Sequence, residues 1–154
     1  MNLLNQFVLQ HAQVSVLHAE LLRVSKKAGT QEAKVELNLT PRIVESEDKT
    51  ALPAYQVTAR LDCRGGAEAK AGPAFKALVG IEAVYQQVAG EAMDMATFTA
   101  SHAELARQLY PMLQQEMRHL LSRMGLSQIQ LPFDLAPRPN ERQAGNVELS
   151  GSVH

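Results

Sequence analysis

The side chains able to do covalent or metal chemistry are few and scattered: one cysteine, Cys63, and five histidines, His11, His18, His102, His119 and His154. A zinc site needs imidazoles or thiolates at short, fixed spacings, and the sequence has neither HExxH nor a paired-cysteine spacing. His11 and His18 are an odd interval apart, which on a strand turns them to opposite faces. His119 follows Arg118 near the end of a helical stretch, where positive charge suits the helix dipole. There is no glycine-rich lysine loop for phosphates and no GxSxG elbow for a nucleophile. We therefore expect no catalytic residue, no metal and no cofactor, and the chain does not read as an enzyme. Cys63 has no partner for an internal disulfide, which fits a reducing compartment, and it reads as a small apolar strand residue.

Bulk properties narrow the classes further. The 154 residues suit one domain with a modest core that gains from assembly. A formal net charge of -1 gives no electrostatic reason to bind nucleic acid or an anionic membrane surface. No apolar run approaches the ~20 residues of a membrane helix, and the opening MNLLNQFVLQHAQVSV lacks a basic n-region and a small-residue cleavage site. The expectation is a soluble, cytoplasmic protein without membrane insertion.

The elements that must position any binding surface follow from periodicity. In Lys34 to Thr40, Val35, Leu37 and Leu39 oppose Lys34, Glu36, Asn38 and Thr40. In Tyr55 to Arg64, Tyr55, Val57, Ala59, Leu61 and Cys63 oppose Gln56, Thr58, Arg60, Asp62 and Arg64. Both are strands with one wet face, because successive side chains on a strand point to opposite sides. The charged run PRIVESEDKTALP between Pro41 and Pro53 reads as the long tip of a hairpin, with a ragged strand end at Ile43 and Val44. Gly65, Gly66, Gly72 and Pro73 mark the next reversal around AEAKA. Phe75 to Val88 alternates again, but its second side (Lys76, Leu78, Gly80, Glu82, Val84, Gln86) is only half polar, so this strand is covered on both faces for part of its length. Gly80 in its middle suggests a bulge or a close approach of another backbone.

The first segment, FVLQHAQVSVLHAELLRV, mixes alternation with a spacing that a helix also uses. Its β-branched Val8, Val14 and Val16 favour a strand from about Phe7 to Leu17, and a polar turn follows at Lys26, Lys27, Gly29 and Thr30.

A long helix follows the four strands. Ser101 and Glu104 have the spacing of a capping box, and Leu105, Leu109, Leu113, Met117, Leu120, Leu121 and Met124 recur every three or four residues as one apolar stripe. Gly125 is placed to end it. Pro111 is discordant, since a proline inside a helix deletes a backbone hydrogen bond at a cost of ~3 kcal/mol or more, so the helix either kinks there or ends near Tyr110 and restarts. Ile129, Leu131, Phe133 and Leu135 then alternate with Gln130, Pro132 and Asp134 as an extended arm. The remainder, APRPNERQAGNVELSGSVH, reads as a mobile tail. The fold class is thus α+β: a four-stranded antiparallel sheet, one long helix and a C-terminal extended arm over residues 1–135, with a flexible tail over 136–154.

This arrangement resembles the SecB family of protein-export chaperones. The residues that carry the resemblance are the second strand KVELNL, the helix entrance Leu109-Tyr110-Pro111, its exit Ser122-Arg123-Met124-Gly125, and the segment Ile129-Gln130-Leu131-Pro132-Phe133 beyond. The similarity runs from about Phe7 to Leu135, and it implies that the first strand is followed by an extended crossover. It implies an ATP-independent holding chaperone that grips unfolded polypeptide or preprotein chains in apolar grooves, as a dimer or a dimer-of-dimers tetramer. It also implies a role in protein transport and translocation, with the motor SecA as a partner.

Three departures qualify the implied function. Nothing after Leu135 has the period of the second helix that export-type members carry, so part of the sheet is expected to lie bare. The acidic docking face for SecA is reduced to Glu20 and Glu82, and the tail is not the acidic, motor-binding kind. A SecB-like interaction module with a single partner, or a chaperone associated with a toxin–antitoxin pair, is the alternative.

Affinity without sequence reading comes from apolar burial at ~25 cal/mol per Å² beside unpaired strand edges. The client-contact residues expected on that basis are Leu21, Leu22 and Val24 in the crossover, Leu78 and Val84 on the half-polar face, and Phe133 and Leu135 on the arm. The first strand and the helix stripe, namely Leu109, Leu113, Met117, Leu120, Leu121 and Met124, are the expected subunit interface of a homo-oligomer.

Overall fold

The computed structural model describes residues 3–23, 33–48, 50–65, 74–133, 137–138 and 147–153. Four long strands, β1 (Phe7–Leu21), β2 (Ala33–Val44), β3 (Ala54–Gly65) and β4 (Phe75–Gln87), are followed by α1 (Met95–Ala100), α2 (His102–Arg123), and the strands β5 (Pro137–Arg138) and β6 (Val147–Val153). All pairings are antiparallel and the sheet order is β1-β4-β3-β2-β6-β5. β2 and β3 form the expected hairpin, and β1 crosses over to lie beside β4 at the far edge.

One face of the sheet is the core. Val35, Leu37 and Leu39 of β2, Tyr55 to Cys63 at alternate positions of β3, and Phe75, Ala77, Val79, Ile81, Ala83 and Tyr85 of β4 are buried. Helix α2 closes this face with Leu105, Leu109, Leu113, Met117 and Leu121, one row at intervals of four residues. Short α1 supplies Phe98, whose ring stacks on Tyr55 at 4.2 Å between centroids and meets Phe7 at 5.3 Å and Tyr85 at 6.1 Å. The Tyr55 hydroxyl donates to the Met93 carbonyl at 2.6 Å and the Tyr85 hydroxyl to Gln108 Oε1 at 2.8 Å, so neither buried phenol lacks a partner.

Several boundaries differ from those the sequence suggests. β2 continues through Pro41 to Val44 because that stretch borders β3 alone, the edge setting that tolerates a residue without an N–H. β1 runs four residues beyond Leu17, to Leu21. Pro111 neither ends nor interrupts α2, which is continuous from His102 to Arg123; the break falls at Ser101, between α1 and α2. The capping box does not form. Ser101 makes no side-chain cap, and Glu104 Oε2 accepts the Leu3 N–H at 2.6 Å, tying the chain start to the helix. Asp94 caps α1 by accepting from the Thr97 N–H at 2.8 Å.

Gly125 does end α2. At φ 75°, it allows the Leu126 N–H to donate to the Leu121 carbonyl at 2.8 Å and its own N–H to the Ser122 carbonyl at 3.0 Å, the two bonds of a Schellman motif. The arm beyond is extended against the domain as far as Leu131, with Ile129 and Leu131 buried. Its anchor is the Pro132 carbonyl, which accepts from Tyr110 Oη at 2.5 Å and Gln114 Nε2 at 3.2 Å.

The tail is the largest correction. Within the stretch expected to carry no structure, residues 147–153 form β6 and pair with Ala33–Leu39 of β2. The signal was there: VELSGSV places Val147, Leu149 and Val153 at alternate positions.

Candidate polypeptide-binding surface

β1 is the strand that leaves apolar surface uncovered. Its ladder with β4 is broken by two register shifts, one between Leu9 and His11 and one between Val14 and Val16, which leave Gln10 and Ser15 as extra residues. Each bulge resets which side chains face the core. Phe7, Leu9, Ala12, Val14, Leu17, Ala19 and Leu21 therefore share the helix-side face, opposite Gln87, Tyr85, Ala83, Ile81, Val79, Ala77 and Phe75 of β4. Intervals of two interrupted by intervals of three explain why this segment mimics a helical spacing in the sequence.

The bulge at Ser15 also accounts for Gly80. A Cβ on Gly80 would lie 3.1 Å from Ser15 Oγ and 3.2 Å from Val16 Cβ, so β4 has a glycine where the partner strand bulges toward it. The same reset overturns the expected placement of the two histidines. His11 lies opposite Val84 and His18 opposite Leu78, which puts both on the outer face of the sheet, six residues of β4 or about 20 Å apart. They cannot share a ligand at that distance. Among the described residues, no three His, Cys, Asp or Glu side chains converge as metal ligands.

Helix α2 packs on β4 and β3 and also reaches β1, whose Phe7 is buried, but it leaves the helix-side residues of β1 from Val14 onward uncovered. On β4, Ile81, Val79 and Phe75 are buried; beside them in register on the same face, Val14, Leu17 and Leu21 are 43, 53 and 43% exposed. The apolar surface of the core thus continues one strand past its cover, as a row spanning six residues of β4 and about 20 Å long. β1 ends the sheet, and among the described residues no strand pairs with its outer edge. Just past the strand, Leu22 is 48% exposed, and its N–H and that of Arg23 donate to the Ala74 carbonyl at 2.7 and 3.0 Å.

The outer face divides by strand. On β2 and β3 it is charged and hydrogen-bonded: Lys34 pairs with Glu36 at 3.0 Å, Arg64 with Asp62 at 3.0 Å, and Glu82 on β4 accepts from Gln56 Nε2 at 2.9 Å and Thr58 Oγ1 at 2.8 Å. Toward β1 it becomes apolar, with Leu78, Val84 and Val16 half-buried around Gly80. Glu20 lies opposite Lys76 at the end of β1, with His18 Nε2 at 3.5 Å.

The residues expected to touch clients therefore fall in three places. Leu21 belongs to the helix-side row on β1 with Leu22 exposed just past the strand end, Leu78 and Val84 to the opposite face of the sheet, and Phe133 to the arm, where it is 97% exposed. Val24 and Leu135 lie outside the described residues. Val14 and Leu17 complete the exposed row and are not among the expected residues; their signal, intervals of two and three across the bulges, is hidden by the register shifts. Of the helix stripe, Leu109, Leu113, Met117 and Leu121 are buried within the protomer, and only Leu120 and Met124 keep surface of their own.

Cys63 is buried on the core face of β3. Burial, with a smaller contribution from the neighbouring Asp62 carboxylate, pushes its thiol up to about 12, so it is protonated and inert at neutral pH. No helix is long and apolar enough to cross a membrane among the described residues.

No protein-family profile matches the sequence, and no curated protein matches it significantly. Solved structures do match. One is a SecB-like chaperone of Mycobacterium tuberculosis, solved in complex with a ChAD peptide from the HigA1 antitoxin. It aligns with 85% of this chain and 93% of its own length at a TM-score of 0.65 and 18% sequence identity. The sheet order, the single long helix and this alignment establish that the chain has the SecB-like fold.

Proposed function

We propose that the chain is an ATP-independent holding chaperone that binds extended, unfolded polypeptide. The single observation that carries this reading is the row Val14, Leu17 and Leu21, with exposed Leu22 beside it, where the core face of the sheet runs on past its cover to an edge unpaired among the described residues. Exposed apolar surface beside open backbone donors and acceptors suits a ligand known only by being unfolded. Its likeness to a SecB-like chaperone solved with a peptide supports the same reading.

Magnitudes argue for assembly. Burying the exposed half of each of these four side chains gains roughly 1 kcal/mol apiece, while micromolar binding needs about 8 kcal/mol. One row alone is too short. A homo-oligomer, dimer or tetramer, joined through the β1 edge around Val14 and Leu17 would double the row and leave Leu21 and Leu22 at its ends for clients. Leu120 and Met124 supply the helix part of that interface. Leu78, Val84, Phe133 and the further positions Val24 and Leu135 extend the client surface. We place the protein in the cytoplasm because a lone cysteine, with no partner for an internal disulfide, fits a reducing compartment.

Export remains the weaker branch of the proposal. Of the two carboxylates that could meet SecA, Glu82 is engaged by Gln56 and Thr58, which leaves Glu20. A module dedicated to one partner, such as an antitoxin, is the second reading, favoured by the antitoxin peptide in the M. tuberculosis structure. The two are separated by titrating the purified chain, without nucleotide, against several unrelated unfolded proteins. Binding to most of them at comparable affinity is expected; binding to none but a single cognate partner would replace the chaperone by the dedicated module.

A further inference from the structure

β2 has two different edges. β3 borders it along its whole length, from Ala33 to Val44, whereas β6 borders the other side only from Ala33 to Leu39. β6 enters in a defined register: Val147 opposite Leu39, Leu149 opposite Leu37, Gly151 opposite Val35 and Val153 opposite Ala33. The apolar positions of VELSGSV thus follow the core-side row of β2, and the polar positions Glu148, Ser150 and Ser152 fall opposite Asn38, Glu36 and Lys34. That is the pattern of an extended client segment laid antiparallel on a strand edge.

As a permanent strand, β6 is poorly made. Its centre is Ser150-Gly151-Ser152, residues of low strand preference, and Gly151 brings no side chain opposite Val35. Among the described residues its other neighbour is the two-residue β5. The interior strand β3, by contrast, is bordered on both sides over all its twelve residues. Among the described residues nothing pairs with the β2 edge past Leu39, where Ile43 is 55% exposed, so an incoming chain can start there and advance toward Ala33.

We propose that the outer edge of β2 over Ala33–Leu39 is a binding site for extended polypeptide with apolar residues at alternate positions, and that residues 147–153 are its resident occupant, displaced by clients. This inference rests on the chaperone reading and adds a site and its control. The resident strand covers an edge that would otherwise pair with another copy. Because it is tethered, it competes at an effective concentration in the millimolar range and sets a threshold that only high-avidity, unfolded chains pass.

The test uses the full chain with Glu36→Cys and Ser150→Cys, which stand opposite each other in register. Cys63 is buried and does not interfere. Binding of a fluorescent, permanently unfolded probe, reduced and carboxymethylated α-lactalbumin, is measured for the oxidised and reduced forms, the unmodified chain, and Leu149→Pro, which weakens β6. The expected result is a Kd about 10-fold weaker when the disulfide locks β6, restored on reduction, and several-fold tighter in Leu149→Pro. Equal affinity in all four would overturn the inference and leave the chaperone reading standing. Failure of the cysteine pair to oxidise would overturn the placement of β6, and absence of binding by every form would overturn both the inference and the chaperone reading.

Discussion

Cys63 shows what a single side chain owes to its position. Buried on β3 beside Asp62, its thiol is held neutral, with the value raised from 9.0 to about 12. An acid raised by folding favours the protonated native state. Its contribution is therefore intact below pH 9.0 and is lost as pH climbs toward 12. The expected outcome is that the denaturation midpoint falls more steeply between pH 8 and about 10.5 in the native sequence than in Cys63→Ala. Because Tyr55 and Tyr85 are also shifted upward by burial, the difference between the two proteins, rather than either curve alone, isolates the thiol. At Tyr110, replacement by phenylalanine removes the donor to the Pro132 carbonyl, which retains Gln114. A loss of about 1 kcal/mol in chemical denaturation is expected. Residue types and spacings made these core positions legible, Cys63 among them. Partners were less so: Glu104 has the spacing to cap at Ser101 but bonds Leu3, because a contact across 101 residues of sequence leaves no local trace.

Elements were legible wherever their period was unbroken. β2, β3 and β4 follow strict alternation, and α2 follows its stripe, so all four were read within a few residues. β1 was harder because its two bulges turn a period of two into a mixture, and the same bulges placed His11 and His18 on one face instead of two. β6 was missed because seven alternating residues with a Ser-Gly-Ser centre carry little strand signal of their own until β2 supplies an edge. Pro111 was read as an obstacle, yet α2 runs through it with the proline exposed. The carbonyl it leaves unbonded belongs to Arg107 on the exposed side, where water can serve it. Pro111→Ala is accordingly expected to stabilise the protein by about 1 kcal/mol or more, seen as a raised Tm. The β1 row gives a sharper pair of predictions. Val14→Asp with Leu17→Asp is expected to yield a folded monomer by light-scattering mass, whereas Leu21→Asp with Leu22→Asp is expected to keep the assembly and lose at least several-fold in client affinity.

At the scale of the whole molecule, the sheet is wider than the helix that covers it. α2 seals β4 and β3, the arm seals the helix end, and the surplus falls on β1 at one edge and on the self-paired β2 at the other. A chain folded this way keeps a stable core while presenting apolar rows and strand edges, which is what holding an unfolded client without consuming nucleotide requires. The most direct measurement is light scattering during refolding of a chemically denatured, aggregation-prone test protein, with no ATP present, in the presence of the native chain or of the Leu21→Asp, Leu22→Asp variant. Suppression of scattering near stoichiometric ratios by the native chain, largely lost in the variant, is the result this account predicts. Scattering unchanged by the native chain at several-fold excess would contradict it.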